Sequence, residues 1–208
     1  VRNHREIDTE GVSMPELTVP RSDIARAATE LARDASPPFL FNHGARTFAW
    51  AVLIADKDRV AYDRELLYVG AILHDIGLTA RFDGPRCFEN EGGAAAAAFA
   101  RDEGWDPLRA ERLAEAIRLH MHPRVVPEDG AEGYLLGEAT GTDCRGHRVG
   151  ELDPGLVAEV VAGIPWLDFT NGFLALCEDQ ARRKPGCLVD LYLQNGFADK
   201  VRNAPFER

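Results

Sequence analysis

The sequence predicts an all-α fold. Three observations carry that expectation. Apolar residues recur three and four positions apart in most segments between turn signals. Cap-type residues precede those segments, and Gly or Pro ends them. No segment sustains the alternation of a strand, and no long period repeats.

The elements follow in order. Residues 1–20 are polar and irregular and are read as an arm, with one domain over 21–200. Ser22 suits the N-cap of a helix over 23–33, with Ile24, Ala27, Ala28 and Leu31 on one face. Pro37-Pro38 breaks the chain, and Pro38 fits the first turn of a helix to about Ala55. Asp63 caps a helix from Arg64 to about Ile76 that is apolar on most sides, as a deep core helix is. Gly77 stands where that helix should stop, and Thr79 to Phe88 reads as a loop. Glu89 to Glu103 is helical, and its Gly92-Gly93 marks a close backbone approach. Asp106-Pro107 opens the next helix, with Leu113, Ala116, Ile117 and His120 on one face. Leu135 to Cys144 is a short helix or turn ending near Gly146. Asp153-Pro154 opens another, Thr170 caps one over Gly172 to Arg183, and Leu188 to Phe197 is the last. The total is about seven to nine helices.

Composition limits the partners. The 208 residues are 45% hydrophobic and 28% charged, enough for one core without disulfides or a structural metal. Lys+Arg is 24 against Asp+Glu 34, a net charge of -10 that repels nucleic acid and anionic membrane surfaces. No apolar run reaches the ~20 residues of a membrane span. The expected partner is a small molecule, with a homo-oligomer left open. The chain starts on Val1, so the numbering is read as starting inside a longer chain. Cys87, Cys144, Cys177 and Cys187 form no C-x-x-C and are read as free thiols, which fits a cytoplasmic protein.

Polar residues in apolar settings mark the candidate chemistry. His74-Asp75 ends the most apolar helix, where an unpaired polar group costs several kcal/mol. His43 opens a helix whose next turns are apolar; its plain alternative is a satisfied core histidine. Asp143 lies in Gly141-Thr-Asp-Cys-Arg-Gly; its plain alternative is an Asx-turn residue.

In order, His43, His74-Asp75 and Asp143 resemble the H…HD…D pattern of the HD-domain superfamily of metal-dependent hydrolases. The resemblance points to its cyanamide hydratase-like branch. It is carried by Phe41-Asn-His-Gly-Ala-Arg, Ala71-Ile-Leu-His-Asp-Ile-Gly-Leu-Thr, Phe88-Glu-Asn-Glu-Gly-Gly-Ala, Ala116-Ile-Arg-Leu-His and Gly141-Thr-Asp. Ile164-Pro-Trp-Leu-Asp-Phe and Ala181-Arg-Arg-Lys-Pro-Gly extend it over residues 37–187. The resemblance implies an HD-type helical bundle whose ligands His43, His74, Asp75 and Asp143 hold one divalent ion. Zinc or iron suits two imidazoles and two carboxylates, with manganese and nickel also accommodated. The metal lowers the pKa of a water, and Asp75 orients it.

Further candidates surround this set. His120 is read as a donor to an oxyanion or leaving group, or as a ligand of a second metal. His122 falls about 200° around the helix and is read as exposed. Glu89 is read as a proton shuttle, against a plain helix-first-turn carboxylate. A dinuclear HD protein usually carries a His near Glu89, and none is present in Cys87-Phe-Glu-Asn-Glu-Gly. Arg46 shares a helix face with His43 and suits pairing with a ligand carboxylate or anionic substrate. Arg81 and Arg86 are weaker substrate candidates; His147 reads as surface and Trp166 as core.

The first functional reading is therefore a metal-dependent hydrolase or hydratase. Its activated water would attack an electrophilic carbon of a cyanamide- or nitrile-like substrate. The alternative is an HD phosphohydrolase acting on a nucleotide or phosphate ester, with Arg46, Arg81, Arg86 and Arg124 as phosphate binders. A second alternative is a non-catalytic metal-binding regulatory domain. A cavity at the metal separates catalytic from structural sites.

Overall fold

A computed structural model describes residues 18–206, so most of the expected arm lies outside the described residues. Among them, nine α-helices of seven residues or more and a six-residue tenth make the fold, with no strand. They are α1 (Asp23–Ala35), α2 (Pro38–Asp58), α3 (Arg64–Leu73), α4 (Phe88–Asp102), α5 (Pro107–Leu119), α6 (Ala131–Arg145), α7 (Pro154–Gly163), α8 (Phe169–Arg183), α9 (Leu188–Gln194) and α10 (Phe197–Arg202).

Local chemistry starts these helices where cap residues stand. The Ser22 hydroxyl accepts from Ala25 N, and the Asp63 carboxylate accepts from Leu66 N. Asp106 and Asp153 each accept from two first-turn N–H groups. Thr170 is not the cap of α8: that helix begins one residue earlier, after Asp168 in the left-handed region at φ 60°. The segment from Leu135 lengthens to Ala131–Arg145 and stops at left-handed Gly146.

α3 is the axis of the bundle. Every residue from Leu66 to Leu73 is buried, and α1, α2, α5 and α6 pack around it. A fully buried Leu there contributes about 1.5–3 kcal/mol. The α-helix ends at Leu73, three residues before the expected Ile76. His74 and Asp75 follow it, before a 3-10 turn at Ile76–Leu78. α8, α9 and α10 build a second apolar cluster with Leu40, Leu78 and Phe88. The expected last helix is two helices, because Gly196 takes a φ of 77° and breaks it.

The four-thiol reading is corrected. Cys87 and Cys187 form a disulfide across 100 residues, while Cys144 and Cys177 are free and buried. Cys87 precedes α4 and Cys187 precedes α9, so the bond ties the starts of these two helices together within the second cluster. The thiol-based argument for a reducing compartment goes with it. Among the described residues, no helix is long and apolar enough to cross a membrane.

Candidate metal centre

Two close helix approaches assemble the site. A Cβ on Gly44 would lie 2.9 Å from the Ala71 carbonyl oxygen and 3.2 Å from Ile72 Cα. Glycine therefore lets α2 sit directly on the end of α3, which carries His43 to His74. Gly77 does the same for α4: a Cβ there would run into the Phe88 carbonyl and Gly92 N. The Gly92 approach read from the sequence is thus to the turn after Asp75.

His43, His74 and Asp75 are buried and hold ligand atoms within 4.8 Å of one another. His43 Nε2 and His74 Nε2 are 3.2 Å apart, and Asp75 Oδ2 is 3.5 Å from the first and 3.2 Å from the second. Zinc–ligand bonds of about 2.0–2.1 Å in a tetrahedron give edges of roughly 3.3 Å. The tautomers agree with that use. His74 Nδ1 donates to the Ala71 carbonyl at 2.8 Å, and His43 Nδ1 donates to Asp143 Oδ2 at 2.6 Å. A carbonyl only accepts, so the Nδ1 atom carries the proton and Nε2 keeps a lone pair. Two lone pairs then face each other beside Asp75 Oδ2, which is buried without a hydrogen-bond partner among the described residues. A cation between them satisfies all three atoms, so the residues fit a divalent metal.

Charge follows geometry. Burial alone would raise the Asp75 pKa, but His74, His43 and His120 outweigh it and bring it to about 2. Burial opposes charge on His74, yet Asp75 and the Ala71 carbonyl leave its pKa raised. Burial lowers that of His43 despite Asp143. His120 is pushed down to about 3, by burial first and then by His74.

His120 joins the cluster. Its Nε2 is 3.9 Å from Asp75 Oδ1, and its Nδ1 donates to the Ile117 carbonyl at 2.5 Å. Neutral and protonated at Nδ1, His120 presents a lone pair to the site. That placement suits a ligand, or a group that takes a proton and returns it, as the expected donor role requires.

Asp143 is not part of the three-residue group. It lies on the Nδ1 side of the His43 ring and is fully buried. Arg46 grips it through Nε at 2.8 Å and Nη2 at 3.0 Å, and Trp50 Nε1 donates to it at 2.8 Å. Burial works against its charge, but Arg46 and His43 hold its carboxyl well below the usual range. Asp143 was expected as the fourth ligand; it stands instead behind His43, outside the three-residue group, where a carboxylate that orients a ligand imidazole would stand. Arg46 donates also to the Pro165 carbonyl and stacks 3.7 Å from the Trp166 ring centre.

Glu89 is buried but does not line the cavity at the cluster. Its neighbour Phe88 faces His120 there, with ring centres 5.9 Å apart. Among the described residues Glu89 Oε2 has no hydrogen-bond partner, and burial raises its pKa. The proton-shuttle expectation is not met by this placement. Arg81 stacks on Phe82 and Arg86 pairs with Glu91, so neither reaches the cavity as substrate candidates should. His122 and His147 are exposed and lie on its rim.

The cavity at the cluster is about 330 Å³ and runs from buried His43, His74, Asp75 and His120 to exposed Arg124 and Arg145. Phe173, Val189, Tyr192 and Phe197 wall it. Arg145, Phe173 and Tyr192 escaped the sequence reading. Arg145 was in view beside Asp143, but only tertiary packing tells which of the two faces the cavity.

A profile of the family described as HD domain matches residues 40–154, more than half of the chain. This chain belongs to the HD-domain family. It is a metal-dependent hydrolase or hydratase of the HD type. It is similar to two proteins of Saccharomyces cerevisiae, cyanamide hydratase DDI2 and cyanamide hydratase DDI3. Each is 27% identical over 171 residues, covering 80% of this chain and 76% of the relative. The HD domain accounts for the three-residue group, since HD domains bind divalent metals. The expected resemblance to the cyanamide hydratase-like branch is met.

Proposed function

We propose that this HD protein adds water to the electrophilic carbon of a C≡N compound, as a divalent-metal-dependent hydratase. One observation carries the reading. The Nε2 atoms of three imidazoles, each with Nδ1 committed to its own acceptor, gather around Asp75 in a cavity that reaches solvent. A site open on one side suits catalysis rather than structure.

His43, His74 and Asp75 would hold the cation, with zinc or iron the best match to this donor set and manganese or nickel also accommodated. When bound, it makes a water nucleophilic near neutral pH and polarises the substrate. Asp143 keeps the His43 Nδ1 proton in place, and Arg46 keeps Asp143 in place. Asp75 Oδ1 and His120 Nε2 sit on the cavity side as proton acceptors. Hydration of a nitrile would balance with these two groups: the proton that the attacking water gives up to one of them passes on to the substrate nitrogen, the imidic acid so formed tautomerises to the amide, and nothing leaves. Phe173 and Phe88 restrict bulk water around the cluster.

The phosphohydrolase alternative is weaker. Of its four expected arginines, Arg46 is taken up by Asp143 and Arg81 and Arg86 lie outside the cavity; Arg124, joined by Arg145 from outside the four, stands at the exposed rim and not at the buried cluster. The test is metal content by plasma mass spectrometry, with cyanamide and p-nitrophenyl phosphate as substrates, on wild type and Asp75→Asn. About one zinc or iron per chain and hydration of cyanamide, both lost in the variant, is the expected result. Phosphate release without hydration would replace this reading with the phosphohydrolase. No metal after reconstitution would leave a non-catalytic helical domain.

A further inference from the structure

We infer that the same site prefers an acid-bearing C≡N compound, with an apolar body and a carboxylate, over cyanamide itself. The inference rests on the hydratase reading for the C≡N end alone. Its first support is size. The cavity of about 330 Å³ compares with about 30 Å³ for a water, so a three-heavy-atom substrate would leave most of it to solvent. A cavity of that size encloses a much larger molecule.

The second support is the lining. Phe173, Phe197, Val189 and Tyr192 offer an apolar wall between cluster and rim. The third is charge. Arg124 and Arg145 both line the cavity, and neither has a carboxylate partner among the described residues. Two free guanidinium groups on one rim are notable in a chain of net charge -10. Apart from Asp75, the acid on the lining is Glu138, and Arg148 at 3.1 Å and His147 at 3.4 Å already engage it. Guanidinium pairs with carboxylate through planar two-point contacts, whereas the cluster end needs only a small linear group. A molecule with both ends bridges rim and cluster.

The probes are 4-carbamoylbenzoate, the amide that hydration of 4-cyanobenzoate would yield, and neutral terephthalamide. Binding to the zinc-reconstituted full chain is read by isothermal titration calorimetry, which needs no turnover. The acid should bind about tenfold tighter or more, the factor expected for a charge-assisted contact. The Arg124→Ala/Arg145→Ala double variant should bring that ratio to about one; both arginines are exposed, so the fold survives their loss. Equal binding by wild type, or a ratio unmoved in the double variant, overturns the inference. In parallel, 4-cyanobenzoate should be hydrated with a kcat/KM above that of benzonitrile. No hydration of any nitrile, with arginine-dependent acid binding intact, would overturn the hydratase reading and the C≡N end while leaving the anion selectivity standing.

Discussion

Arg46 and Asp143 form a fully buried two-point pair, 2.8 Å and 3.0 Å between facing atoms, behind the His43 ring. Removing one partner of such a pair strands a buried charge, which costs about 3–5 kcal/mol. Arg46→Met should therefore lower unfolding stability by that amount in a urea titration. It should also weaken metal binding about 10–100-fold, because Asp143 orients His43. A chromophoric zinc-chelator competition measures the second effect. Arg46→Lys should rescue little, since an ammonium cannot reproduce the two-point contact. Unchanged zinc affinity in Arg46→Met would end the assignment of Asp143 as an orienting residue.

How much of this was legible depends on the range of the interaction. Ser22, Asp63, Asp106 and Asp153 were readable as caps because each satisfies backbone groups within three residues. Burial of polar residues in apolar helices said that His74-Asp75 needs a partner, but only the resemblance to the H…HD…D pattern named His43 as that partner. Asp143 was placed near the site, but spacing cannot say whether a carboxylate faces the metal or the back of an imidazole. The disulfide was invisible: nothing local to Cys87 or Cys187 reports a neighbour 100 residues away. Gly196 was in plain view, yet its left-handed φ emerges only where the chain turns to pack α10.

The disulfide gives a second expectation. Cys187 ends the connection from α8 into α9, while Cys87 adjoins Phe88 at the cavity. Closing a loop of that length restricts the unfolded chain by up to about 4–5 kcal/mol in the chain-entropy model. Cys187→Ser should cost about 2–5 kcal/mol in guanidinium unfolding of the oxidised protein. Adding reductant should lower wild-type stability toward the variant and leave the variant unmoved. A reductant effect of equal size on both would show that the bond is not what reductant acts upon.

Acid should loosen the same region. Asp83 accepts from Lys184 at 2.6 Å, Arg183 at 2.6 Å and Gln180 at 3.1 Å, tying the loop before α4 to the end of α8. Partial burial pushes its pKa up, but these contacts prevail and bring it from 3.8 to about 2. A depressed folded pKa means stability present above pH 3.8 and lost as pH falls toward 2. With its one-fifth exposure discounted, the contribution is about 1–2 kcal/mol. The stability gap between wild type and Asp83→Asn should be constant from about pH 7 to pH 5 and shrink by about pH 2.5. A gap independent of pH would assign the effect to packing instead.

Gly44 decides whether close helix approach is what builds the site. Alanine within a helix normally gains about 0.5–1 kcal/mol over glycine. At Gly44 the added methyl would meet backbone, the Ala71 carbonyl oxygen and Ile72 Cα, which cannot rotate away. Overpacking of that kind costs about 1–3 kcal/mol, so the net effect of Gly44→Ala is destabilising. The Ala71 oxygen is also the acceptor for His74 Nδ1, and His43 adjoins Gly44, so the same methyl disturbs both imidazoles. Zinc affinity should fall together with stability. Gly70→Ala is the comparison: its methyl would meet the ends of Leu136 and Leu113, at 3.2 Å and 3.5 Å, which can shift. That variant should be the more stable of the two and keep its zinc affinity. Equal zinc affinity in both variants would mean that the α2–α3 approach serves packing alone, and that the two histidines find each other without it.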